Sequence, residues 1–299
     1  MREVFDTYRP RARARATVEQ ANAIFDEYAG QGFTLTLRQL YYQFVARGLE
    51  ENTMAQYKRL GVVLRDARDG GLVDWNAIED RTRQVNTHSS WDDPAEFITP
   101  GQYQEDLWAN QRYRPEVWVE KEALVGVIEG VCTEYRVPYF AHRGNNSQTL
   151  QYQAGKRFAE YLNQGLTPVV LYLADHDPNG IDMTRDNRER LALYAGQPVE
   201  VRRIALNLDQ VQRYKPPPSF VKEGDTRTSG YTKQFGTDEC WELDALSPTI
   251  IADLIRAQIQ PMIDDAEWMK ASERERQSRE QLKAVTANWA KVVNLVATT

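Results

Sequence analysis

"LYLADHDPNGIDM", residues 171–183, sets the reading of this chain. An apolar run climbs to Ala174 and gives way at once to Asp175, His176, Asp177, Pro178, Asn179 and Gly180. A continuous apolar run closed by turn residues predicts a strand buried on both faces, as in a parallel sheet. Ligands gather beyond the carboxyl ends of such strands, so Asp175 and Asp177 stand where a site is expected. A second strand end carries acids too. "VWVEKEAL", residues 117–124, closes on Glu120, with Glu122 just beyond. If the two strands are neighbours, Glu120, Asp175 and Asp177 converge, and three ionised carboxylates repel one another unless a cation joins them. An all-oxygen set suits Mg²⁺. Asp177 followed by Pro178 also suits a helix N-cap. His176 points to the opposite face of an extended segment and is read as a supporting or exposed residue, not a ligand.

Outward from these strands, the chain alternates. "EVWVE", "VPYFAHR", "TPVVLYLADHD" and "VEVRRIALN" read as strands, with helical stretches between them, which predicts an α/β fold with a mostly parallel, helix-covered sheet. The tail after Ser247 reads as two helices split near Gln260–Pro261. Residues 216–236, opening on three prolines, read as a long loop. "CWELDAL", 240–246, offers Glu242 and Asp244 as caps or further site acids, and Glu242 is read as structural.

The N-terminal third is different. "YRPRARAR" places Arg9, Arg11, Arg13 and Arg15 at alternate positions, as a solvated arm or one that grips phosphates. Three helices follow, starting near Thr17, Thr36 and Asn52–Thr53, and then the β-prone "LVDWNAIED". This order suits a helix-turn-helix or winged-helix module over residues 1–83. Residues 84–114 read as a linker, and 115–299 as the α/β domain with a C-terminal helical extension. On the third helix Lys58, Arg59 and Arg65 form a candidate phosphate-contacting face, interleaved with Asp66 and Asp69.

The second helix contains "LRQLYYQF", 37–44. At ~100° per residue, Leu40, Tyr41 and Phe44 fall within about 60° of Leu37, whereas Tyr42 falls near 140°, off the apolar stripe. Tyr41 is therefore read as core and Tyr42 as exposed, with Arg38 one turn before it. A neighbouring guanidinium lowers a phenol's pKa or holds a phosphate oxygen.

A strand ending in "VEKEAL" followed by "LADHDPNGIDM" resembles a Toprim domain, and "DHDPNGI" resembles the form found in the A subunit of topoisomerase VI and the related meiotic double-strand-break proteins. "LRQLYYQF" is similar to that family's tyrosine motif in its winged-helix domain. The resemblance spans about residues 34–80 and 116–206 and is nearest to the reduced, Mini-A-type relatives. It implies Glu120, Asp175 and Asp177 as Mg²⁺ residues and Tyr42 as nucleophile, with Arg38 beside it. It implies cleavage of double-stranded DNA through a 5′-phosphotyrosine, as in a type IIB topoisomerase (an isomerase). It also implies a homodimer in which tyrosine and metal site come from different subunits, and a separate GHKL-type ATPase partner, since no G-x-x-x-x-G-K-[ST] phosphate loop occurs here. "RGNNSQTL", 143–150, replaces the glycine-rich turn of the family. The alternatives are a Toprim nuclease using water and a non-catalytic DNA-binding protein.

Composition bounds these readings. The 299 residues are 41% hydrophobic and 27% charged, which fits a globular protein with a core. A net charge of −6 means that any DNA contact must rest on local basic patches. No apolar run approaches the ~20 residues that cross a bilayer. The first residues lack the apolar region of a signal peptide, and Cys132 and Cys240 form neither a disulfide framework nor a zinc spacing, so a cytoplasmic protein is expected.

Overall fold

The computed structural model describes residues 2–78, 98, 100–141, 148–220 and 227–297. Its centre is a four-stranded parallel sheet of β1 (Tyr113–Val119), β2 (Tyr139–Ala141), β3 (Thr167–Leu173) and β4 (Glu200–Ala205), in the order β2-β1-β3-β4. Eleven α-helices accompany it among the described residues. The connections α4 (Val125–Glu134), α5 (Gln148–Asn163) and α6 (Pro178–Ala195) link successive strands.

Side-chain alternation decides the layering. Val117, Val119, Val169, Leu171 and Leu173 face one core, shared with α4 and with α9 (Pro248–Ile259). Trp118, Val170 and Tyr172 face the opposite core, against Phe158 of α5 and Met183 and Leu191 of α6. A strand covered on both faces cannot alternate polar with apolar, which is why β3 reads as an unbroken apolar run. The chain runs from β1 to β2 on one side and then returns to place β3 on the other. The switch point of the sheet therefore lies between β1 and β3.

The N-terminal helices form their own core. They are α1 (Ala12–Gly30), α2 (Leu37–Ala46) and α3 (Met54–Asp69). Thr36 starts α2 through a reciprocal capping box with Gln39, and Thr53 caps α3. Helix α1 begins at Ala12 rather than near Thr17, because the Thr17 hydroxyl donates to the Arg13 carbonyl instead of capping. Arg13 and Arg15 thus belong to a helix, and only the residues before them form an extended arm. The segment after α3 is a short 3-10 turn at Trp75–Ala77 with a single bridge between Ile78 and Leu35. Residues 79–97, which hold nearly half of the expected linker, and residues 142–147, with most of the expected turn, lie outside the described residues.

Two expectations about the second half change. Residues 216–236 are not simply a loop: after α7 (Leu208–Tyr214), α8 (Thr228–Phe235) lies between β5 (Ser219–Phe220) and its antiparallel partner β6 (Glu239–Cys240). A segment with Ser229 and Gly230 has little helical propensity of its own, and Tyr231, buried against His176, holds it in place. Likewise the tail breaks twice. Pro261 ends α9 as expected, and a further break at Asn288 separates α10 (Asp265–Ala287) from α11 (Trp289–Ala297). No helix of the described residues is long and apolar enough to cross a membrane.

Candidate active site

The register of β1 on β3 brings Glu120 and Asp175 together. Val119 pairs with Leu173, so the next residues, Glu120 and Ala174–Asp175, leave the sheet side by side. The Glu120 backbone donates to the Leu173 carbonyl at 2.9 Å, and its carboxylate Oε2 accepts from the Asp175 backbone at 3.0 Å. Burial and the charge of Asp177 raise the pKa of Glu120, against the hydrogen bond from Asp175. Asp177 takes the capping role: its Oδ1 accepts from the Gly180 backbone at 2.6 Å and starts α6. Among the described residues, no three His, Cys, Asp or Glu side chains are grouped closely enough to hold a metal ion.

Lys121 organises the centre. Its Nζ lies 2.9 Å from Asp175 Oδ1, 2.7 Å from Glu242 Oε2 and 2.8 Å from Asp244 Oδ1. Burial works to lower its pKa, but the three carboxylates outweigh burial and raise it well above the usual lysine value. Asp175 also accepts from the Leu243 backbone at 2.8 Å. It is only 8% exposed, and burial pushes its pKa up to about 7 despite Lys121. Glu242 goes the other way: Lys121 and Arg38 overcome burial and hold it below the ordinary glutamate range.

Of the two roles the sequence left open for Glu242, cap or further site acid, the cap is not the one it takes. It stands at the start of the turn Leu243–Ala245 without a capping hydrogen bond and spends its carboxylate on Lys121 and Arg38. Lys121 did not stand out in the sequence, whereas Glu242 and Asp244 were offered there as caps or further site acids. The only signals were a lysine next to Glu120 and a second acid-x-acid spacing in "WELD".

The same turn docks on α2 and corrects the reading of its tyrosines. Tyr41 is core, as expected, with its hydroxyl among the Glu51 and Thr53 carbonyls. Tyr42, however, is 6% exposed and not on an open surface. The helical wheel registers only the apolar residues of α2 itself, whereas the face bearing Tyr42 is covered by the turn that holds Asp244, some two hundred residues later. Arg38 lies between them. Its Nη2 is 3.4 Å from the Tyr42 hydroxyl and 2.5 Å from Glu242 Oε2, and its Nε is 3.3 Å from Asp244 Oδ2. The phenol pKa is consequently raised, first by burial and then by Asp244 and Glu242, with Arg38 only partly compensating. A guanidinium already committed to two carboxylates has little charge left to acidify a phenol.

A continuous chain of contacts therefore runs Tyr42–Arg38–Glu242 and Asp244–Lys121–Asp175, then through the Asp175 backbone to Glu120. Its members come from α2, from the end of β1, from the end of β3 and from the turn before α9. His176, adjacent to all this, is 1% exposed rather than open. It pairs with Trp241 through both backbone groups, and burial, with Arg203 nearby, lowers its pKa to about 4.

The proposed DNA-contacting residues of α3 divide. Lys58 is exposed and makes no ion pair within the described residues. Arg59 is paired with Glu50 and donates to Gln56 at 2.8 Å, and Arg65 is paired with Asp66 at 2.8 Å. Neither arginine contributes unspent charge in this arrangement.

No protein-family model, no curated protein and no solved structure matches this chain.

Proposed function

We propose that this chain is a DNA-cleaving transesterase, with a winged-helix-like N-terminal module and a Toprim-like α/β domain, in which Tyr42 attacks a backbone phosphate. The observation that supports it most is the unbroken contact chain from the Tyr42 hydroxyl through Arg38, Glu242 and Lys121 to Asp175. A decorative surface tyrosine has no reason to be wired to acids at the sheet's switch point. In the reaction, the Tyr42 oxygen bonds to phosphorus while the bond from phosphorus to the 3′-oxygen breaks. The product is a 5′-phosphotyrosine and a 3′-hydroxyl, with the bond energy conserved for resealing.

Mg²⁺ is part of this proposal. The donors suit it: Glu120, Asp175 and Asp177 offer only oxygen, and Glu120 and Asp175 carry raised pKa values that a divalent cation would relieve. In the arrangement described the three are not gathered tightly enough to hold an ion and would have to close around it; bound there, it would supply positive charge for the phosphate and the leaving oxygen. The protein's own groups do the rest. Arg38, released from Glu242, offers its planar fork to a phosphate oxygen. Glu242 and Asp244 are bases beside the phenol for its proton. The buried resting state keeps Tyr42 protonated, so DNA entry must open this cluster before attack. Double-strand cleavage requires two sites and hence two chains, with a separate GHKL-type ATPase as a possible further subunit.

The test is covalent trapping. The purified protein, with supercoiled plasmid and Mg²⁺, is quenched in detergent and run with and without protease, beside Tyr42→Phe and Asp175→Ala. Linear DNA that enters the gel only after protease, and is lost in both variants, is the expected result. Protein-free breaks that survive Tyr42→Phe would replace this reading with a water-using nuclease. Mixing the two variants then asks whether Tyr42 serves its own chain's acids. Restored cleavage means tyrosine and acids come from different chains, and continued inactivity means that they come from one.

A further inference from the structure

A cavity of about 800 Å³ lies beside the acid loop, between α6, α8 and the segment after β4. Its volume falls within the ~300–1,000 Å³ typical of small-ligand sites. It is strongly basic. Among the described residues, Arg185, Arg188, Arg203 and Arg227 line it against one acid, Asp182. Two of these arginines are held by neutral acceptors. Arg203 donates to the carbonyls of Ala174, Asp175, Gly180 and Leu206 and to the Thr184 hydroxyl. Arg188 donates through Nε and Nη2 to the Val201 carbonyl. Neither forms an ion pair within the described residues, and Arg188 keeps Nη1 for a ligand.

The opposite part of the cavity is aromatic, built by His176, Tyr231 and Phe235. His176 carries a second signal. The Tyr231 hydroxyl lies 2.7 Å from His176 Nδ1, 2.9 Å from the Glu239 carbonyl and 3.2 Å from the His176 carbonyl. A phenol has one proton, and a carbonyl can only accept. The arrangement that satisfies most of these contacts sends that proton to Glu239 and has Nδ1 donate its own hydrogen to Tyr231. This assigns the tautomer and leaves Nε2 as a bare acceptor. It is buried, on a residue 1% exposed, with no hydrogen-bond partner. Buried acceptors are rarely left unpaired.

We infer that this cavity binds a nucleotide, with its phosphate on Arg188 in the field of Arg203, its base against Phe235, and a base N–H donated to His176 Nε2. The nucleotide is either free in solution or the end of a DNA strand; the recognising chemistry is shared. Binding here needs neither Mg²⁺ nor Tyr42 and stands whether or not the chain cleaves DNA.

The experiment is titration calorimetry on the full chain without Mg²⁺, using deoxyadenosine monophosphate, deoxyadenosine and inorganic pyrophosphate. The monophosphate is expected to bind at least ten times more tightly than either the base-only or the phosphate-only probe. Arg188→Gln should weaken it about tenfold and leave deoxyadenosine unchanged. His176→Phe, checked for folding by circular dichroism, should weaken both probes that carry a base and spare pyrophosphate. Competition by a 5′-phosphorylated single-stranded tetranucleotide would assign the cavity to a strand end, and its absence to a free nucleotide. Pyrophosphate binding as tightly as the monophosphate, no binding of the monophosphate, or no change in Arg188→Gln would each overturn the inference.

Discussion

Lys121→Met tests the central claim about the site, that a lysine ammonium is what lets the carboxylates coexist. Its Nζ is within 2.9 Å of three of them, Asp175, Glu242 and Asp244. Methionine retains most of the stem and removes only the charge. Arg38 remains for Glu242 and Asp244, so Asp175 becomes the orphan, buried with a single backbone donor. Breaking a buried pair in this way costs about 3–5 kcal/mol. The sign with pH follows. Without Lys121 the pKa of Asp175 rises further above its unfolded value, so the folded state binds more protons than the unfolded one. The variant should therefore be least stable at pH 8 and recover toward pH 5, where Asp175 is neutral in the fold. Urea unfolding followed by tryptophan fluorescence reads this directly, since Trp118 is buried in the sheet. Millimolar Mg²⁺ should restore part of the loss at pH 8 in the variant more than in the wild type. A variant within about 1 kcal/mol of wild type at pH 8, with no recovery at pH 5, would refute the reasoning.

Gly180→Ala should destabilise the fold by about 1–3 kcal/mol and disturb the acid loop, because a Cβ there would sit 2.2 Å from the Asp175 carbonyl oxygen; thermal melting checks it. Arg157→Met should cost about 1–3 kcal/mol at neutral pH, since the Arg157 side chain is partly exposed while Glu116, 4% exposed, would be left with its bond from Trp118 Nε1, and Glu116→Gln added to it should recover much of the loss in the same melts. The lowered pKa of His176 means the unfolded chain takes up its proton first as pH falls. Stability should therefore drop between about pH 6.5 and about 4, by up to about 3 kcal/mol, most clearly in Asp175→Asn, where the opposing titration of Asp175 is gone; urea midpoints across that range read it.

Much of the architecture was legible because it is written in local pattern. A strand buried on both faces must be continuously apolar, so "PVVLYL" announced β3, and the acids at its end announced where the sheet stops. Strand–helix alternation announced the parallel sheet, and Pro261 announced the end of α9. The condition attached to Glu120, that β1 and β3 be neighbours, is met by the sheet order. These features depend on residues a few positions apart, and a sequence displays such separations directly.

Only the tertiary structure decided the rest. Tyr42 is buried because a turn from residues 243–245 covers its side of α2, and no periodicity within α2 carries information about that turn. Lys121, Glu242 and Asp244 meet across about 120 positions of chain. What joins them is charge compensation in a low-dielectric interior, which depends on distance in space and not on spacing in sequence. The helix at Thr228–Phe235 exists for the same reason: Tyr231 finds His176 and Phe235, and their packing overrides a weak local propensity. The sequence by itself determined which residues could be strands and where acids would end them. The folded chain determined which cation those acids face, and that the tyrosine waits beneath them.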